Sequence, residues 1–135
     1  QPYTSKLYET TKKEGDKTYS GVSMVTTGCR ALRGYYDLFY SSGVKQFPVD
    51  LAGRISPLAL AVWYMDDGSL NRGHPRIAFG LDQLSLDRAQ AALRKLGLRP
   101  VVHRDARSET MVSIEFPGQR DLFMDLVGPH LHPSM

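Results

Sequence analysis

"PLALAVWYMDDGS", Pro57 to Ser69, begins as an apolar segment and stops at two adjacent carboxylates and a glycine. Ser56 offers an N-cap hydroxyl just ahead of it, and Pro57 suits the first helical position, where a missing N–H costs nothing. The stretch therefore predicts a helix running to Asp67. Its apolar body, Leu58 to Met65, is far shorter than the roughly 20 residues a membrane-spanning helix needs. Trp63, Tyr64 and Met65 read as core, while Ala59 and Ala61 are small enough for close contact with another helix. Asp66 and Asp67 face the negative end of the helix macrodipole, an unfavourable placement worth ~0.3–1 kcal/mol each that a bound cation would relieve.

Around this helix the chain reads as one domain of ordinary size. It has 135 residues, 41% of them hydrophobic, enough for a core without disulfides. A single cysteine, Cys29, excludes an internal bridge and suggests neither zinc nor redox pairing. The 17 Lys and Arg against 14 acids give a net charge of +3, leaving room for local basic faces that meet phosphates. No basic-then-apolar leader is visible, so the expectation is an intracellular protein of cytoplasm, nucleoid or organelle, neither secreted nor membrane-bound. Gln1 in place of Met reads as the start of a piece of something longer.

Upstream, residues 2–10 and 18–27 are rich in Thr, Tyr, Val and Ser and flank the polar turn "TKKEGDK", predicting a β-hairpin. Leu32, Tyr35, Tyr36, Phe39 and Tyr40 at helical spacing predict a helix over about 29–41, ended by Gly43. A linker follows over 46–56. Downstream of the motif helix, "SLNRGHP" predicts a turn and "RIAFGL" a half-buried strand. "SLDRAQAALRKLG" predicts a helix capped by Ser85, with Leu86, Ala89, Leu93 and Leu96 on one face and Gly97 as its stop. "LRPVVHRD" and "TMVSIEF" form a second hairpin, and "GQRDLFMDLVGPHL" a last amphipathic helix. Strand, strand, helix thus occurs twice, with "DLF" at Asp37–Phe39 and again at Asp121–Phe123.

The segments "YYDLFYSSGVKQFP", "ISPLALAVWYMDDGS" and "VGPHLHPSM" resemble the LAGLIDADG homing endonucleases, DNA-cutting enzymes of mobile introns and inteins, in their intron-encoded branch. The likeness extends over the whole chain. By contrast "LAGR" at Leu51–Arg54 reads as chance. The resemblance implies an α+β fold of αββαββα halves whose antiparallel sheets form a DNA-binding saddle, with the motif helices side by side at its centre. On this reading residues 1–45 are a partial first half (β-β-α), 46–56 a linker, and 57–135 a whole second half carrying the motif at 60–68.

The same resemblance makes Asp67 the metal-binding and catalytic acid. Gly68 sits beside it at the metal site, allowing the sharp exit from the helix and close approach of a phosphate. Phosphodiester hydrolysis needs a water nucleophile and stabilised negative charge, which divalent ions supply. Mg²⁺, a hard ion satisfied by one or two carboxylates plus substrate oxygens, fits; Mn²⁺ is equivalent and Ca²⁺ a non-cleaving substitute. Lys45 matches the family's lysine at the end of a half's last helix, as charge stabiliser or water positioner. Asp66, Asp82, Gln83 and His132 are secondary candidates.

For double-stranded DNA, a two-stranded ribbon enters the major groove and reads base edges. Alternation directs Arg76, with Ala78 and Gly80, away from the core. Arg99 and His103 follow it, with Ser113 and Glu115 from the second strand of their hairpin and Arg72 and Arg104 beside them. Lys6, Tyr8 and Lys12 do the same in the first copy, while Lys12, Lys13 and Lys17 at a loop tip meet phosphates. Only one motif helix is present, so a second is expected from another chain or a preceding segment, with a homodimer as the rival. The alternative function is a cleavage-deficient RNA maturase or nucleic-acid-binding module of the same fold.

Overall fold

A computed structural model describes residues 5–26, 28–104 and 111–133 and divides the chain into two compact units, residues 1–36 and 37–135. The first unit is a long ribbon, β1 (Ser5–Glu14) paired antiparallel with β2 (Lys17–Thr26). The expected hairpin is present, but its strands run through "TKKE". A two-residue Gly15–Asp16 turn, with Gly15 at φ +61°, closes it as the primed hairpin turns do. Lys12 and Lys13 therefore sit within β1, opposite Tyr19 and Thr18, and not at a loop tip. Lys17 opens β2 opposite Glu14.

The helix expected over 29–41 is shorter. A 3-10 turn at Arg30–Leu32 leads into α1 (Arg33–Phe39). Then a small hairpin follows, β3 (Tyr40–Ser41) against β4 (Val44–Lys45). Ser42 and Gly43 both have positive φ, +50° and +79°, the signature of a type I′ turn. Gly43 thus turns a hairpin and does not stop a helix, and Leu32, Tyr35 and Tyr36 stay exposed.

The second unit is built on α2 (Pro57–Asp67), which starts where the sequence predicts: the Ser56 hydroxyl accepts from the Ala59 N–H at 3.2 Å. Leu60, Ala61 and Tyr64 face inward and are buried. Ala61 thus belongs to the core of this unit. No loop follows α2, because β5 (Gly68–Asn71) begins at the next residue and turns at Arg72–Gly73 into β6 (His74–Phe79). The segment expected as a turn, "SLNRGHP", is in fact mostly a strand pair.

After β6 comes α3 (Gln83–Lys95), then β7 (Val101–Arg104), β8 (Val112–Glu115) and α4 (Arg120–Val127). The sheet order is β5-β6-β8-β7, antiparallel throughout. The helix α3 is capped three residues earlier than expected. The Asp82 carboxylate accepts from Ser85 N at 2.7 Å, whereas the Ser85 hydroxyl is buried and accepts from Phe47 N at 2.9 Å. A carboxylate is the stronger acceptor at the positive end of a helix, which leaves the serine to satisfy a buried amide.

One face of the sheet packs on the helices. Ile77, Phe79, Val112 and Ile114 alternate inward against Leu86, Ala89 and Leu93 of α3 and Phe123 and Val127 of α4, all buried. Tyr64 meets Phe123 edge-on at 5.0 Å, and Phe123 meets Phe116 at 4.9 Å, so α2 and α4 share an aromatic seam. With its helices on one face only, this α+β unit leaves the other face of the sheet to solvent.

Candidate catalytic cleft and nucleic-acid face

The exit from α2 is fixed sterically. Gly68 has ordinary extended dihedrals, but a Cβ there would run into the Tyr64 carbonyl and ring. Only glycine lets the helix pass straight into β5, which in turn holds the last turn of α2 rigidly against the sheet. Asp66 and Asp67 lie on that turn, both exposed.

Asp66 and Asp67 line one cleft of about 620 Å³ together with Lys45, Gln46, Phe47, Trp63 and Phe79. Trp63 stands between Phe47 and Phe79, with ring centroids 6.0 and 6.1 Å away. Lys45, 22 residues upstream of Asp67, thus lines the same cleft as both motif acids. A second cleft of about 510 Å³ shares Lys45 and adds Asp82, Gln83 and Arg104. There Arg104 donates to Gln83 Oε1 at 2.6 Å, and Gln83 Nε2 donates to Asp87 at 2.7 Å. Lys45 is thus common to both clefts. The Asp82 carboxyl is held below its usual range, first by the Ser85 backbone N–H it accepts from and then by the Ser85 side chain.

The remaining candidates divide by strand register. On the outer face of the sheet Arg76 stands opposite Ser69 and Glu115, and His103 opposite Ser113. Arg76 Nε donates to Ser69 Oγ at 3.1 Å. Asn71 Nδ2 donates to Glu115 Oε1 at 2.9 Å, and His103 Nε2 lies 3.5 Å from Glu115 Oε2. Arg72 occupies the β5–β6 turn with φ +50°. Arg104 falls in the opposite row, across from Val112, and belongs to the second cleft instead of the outer face. Arg99 precedes β7, and its backbone is clasped by the Gln119 amide at 2.8 and 3.1 Å. His132 is exposed beyond the 3-10 turn Gly128–His130 and lines neither cleft. In the first unit Lys6, Tyr8 and Lys12 share one face of the ribbon with Tyr19, and Lys13 lies on the other with Leu7, Val22 and Met24.

Asn71, on the outer row with Ser69, is not among the residues expected from sequence, because "SLNRGHP" reads as a turn. The alternation of Ser69 and Asn71 ahead of Arg72–Gly73 is the signal that finds it. Among the described residues no group of three His, Cys, Asp or Glu forms a closed metal cage. Two exposed carboxylates at the negative end of a helix nevertheless fit a hard cation that takes its other ligands from substrate or a second segment.

A rigid helix that delivers carboxylates to a cleft beside an open antiparallel sheet defines a LAGLIDADG-type half. The model of the LAGLIDADG DNA endonuclease family matches residues 1–119, and the chain belongs to that family. A solved structure described as the homing endonuclease I-WcaI bound to its DNA recognition sequence matches with a TM-score of 0.73 at 25% identity. The match covers 100% of this chain and 62% of that one, so the chain spans under two thirds of that protein's length. No curated protein matches the sequence.

Proposed function

We propose that this chain is the DNA-reading and metal-holding part of a site-specific double-strand DNA endonuclease, completed by a second motif helix. The observation that carries the reading is the cleft that Asp66, Asp67 and Lys45 all line. Asp67, with Asp66 beside it, would hold Mg²⁺ or Mn²⁺, which when bound lowers the charge on the scissile phosphate and activates water. The Lys45 ammonium offers its charge and donors to a phosphate oxygen or to the attacking water. Gly68 lets a backbone phosphate approach the carboxylates without a side chain between.

The outward face of α2 supports a second helix. Leu58 and Val62 are 53% and 55% exposed, and Ala59 is exposed between them. They form an apolar stripe one and two turns before Asp66. A helix docked along it would deliver its own acid beside Asp67 for the other strand. That helix would come from another chain or a preceding segment.

A library of DNA duplexes incubated with the assembled protein and Mg²⁺ tests the proposal against Asp67→Asn. Wild type cuts both strands of a selected site. Asp67→Asn retains binding and loses about a hundredfold or more in cutting rate, since several kcal/mol of charge stabilisation disappear. Selective binding without cuts by the assembled wild type overturns the nuclease reading in favour of a cleavage-deficient nucleic-acid-binding protein.

A further inference from the structure

Glu115 is out of place on a surface that meets phosphates. It is nearly buried, at 9% exposure, yet belongs to the outer face of the four-stranded sheet. A carboxylate there repels the nucleic-acid backbone unless its oxygens are already engaged. Oε1 accepts from Asn71 Nδ2 at 2.9 Å, and Oε2 has His103 Nε2 for a neighbour at 3.5 Å.

Resting on the DNA-binding reading above, the structure assigns Asn71 as a base-reading residue specific for adenine and Glu115 as the positioning residue that presets its amide. An ionised carboxylate only accepts hydrogen bonds, so it selects the nitrogen end of the Asn71 amide. The flip of that amide is thereby fixed before any base arrives. One of the two Nδ2 hydrogens is spent on Glu115. The other, together with Oδ1, forms a donor–acceptor pair. Adenine presents the complement in the major groove, an N7 acceptor beside an N6 donor, whereas guanine presents two acceptors and would meet Oδ1 with O6. Asn71 sits at the end of β5, next to the Arg72–Gly73 turn, where a ribbon tip reaches base edges.

The test is selection of randomised duplexes by the assembled full chain, comparing wild type with Asn71→Ala, Glu115→Ala and Glu115→Gln. Wild type selects adenine at one position by about tenfold or more over guanine, the discrimination a two-point contact gives. Asn71→Ala and Glu115→Ala both lose that preference at that position alone, and Glu115→Gln, which keeps an acceptor for Asn71, restores it. A purely structural Glu115 would change affinity at all positions together. Unchanged adenine selection in Asn71→Ala overturns the assignment while leaving DNA binding standing. Selection lost in Asn71→Ala but kept in Glu115→Ala overturns the positioning role. Wild type that enriches no duplex overturns this assignment and the DNA-binding reading with it.

Discussion

Gly68 shows how one atom governs the junction that carries the acids. Its dihedrals suit any residue, so the requirement is space and not conformational freedom: a Cβ would collide with the Tyr64 carbonyl, which cannot swing aside like a side-chain end. Gly68→Ala must therefore shift the last turn of α2 or the start of β5, costing ~1–3 kcal/mol as overpacking does. Thermal denaturation reads that loss. Gly28→Ala, with nothing within 4 Å of the added carbon, is the matched control and leaves the melting temperature near wild type. The residue-scale reading of the sequence was strong here, because "DDG" after an apolar run has few structural uses. It expected the glycine at the sharp exit from the helix, where the structure has it, but not the steric cause, since a collision with a residue four positions back is invisible without coordinates.

At the scale of elements, α3 separates two residues that look equally able to cap it. Asp82 and Ser85 both precede good helix formers, and the choice between them depends on a distant amide: Phe47 N, 38 positions away from Ser85, needs a buried acceptor. Ser85→Ala leaves that N–H unsatisfied and costs ~1–3 kcal/mol, measured by denaturant unfolding. Asp82 acts through charge. Its carboxyl pKa is lowered in the folded state, so the stabilisation is complete above the ordinary carboxylate range and is lost as pH falls through the lowered value. Asp82→Asn keeps a capping oxygen but cannot titrate, so its melting temperature falls less steeply than wild type's on the acid side of pH 4. Parallel slopes for the two proteins would contradict the cap. The same non-local logic explains why α3, α4 and the first hairpin were legible from periodicity while β5 and the β3–β4 hairpin were not. The two-residue strands β3 and β4 give too few alternations to register, and the short β5 is masked by turn-forming Ser, Asn and Gly, so only their partners define them.

The whole molecule poses a question of completeness that its parts make concrete. The sequence carries a single motif helix, and the expectation of another rests on the family resemblance. The sequence could not show which side of α2 is exposed, and it paired Ala59 with Ala61 when only Ala59 faces outward. That side carries Leu58 and Val62, each more than half exposed, directly in line with the acids. If this stripe receives the second helix, charges placed on it act on assembly and not on folding, because neither side chain contributes to the buried core. Leu58→Glu combined with Val62→Glu should shift stability by no more than ~0.5 kcal/mol per site, as surface substitutions do. If the helix comes from another chain, the native mass of the cutting species should exceed that of the 15.1 kDa chain, and the double variant should return it to the single-chain value with cutting abolished. A wild type that cuts DNA as a lone 15.1 kDa chain would show that one carboxylate-bearing helix is enough, and the stripe would then need another explanation.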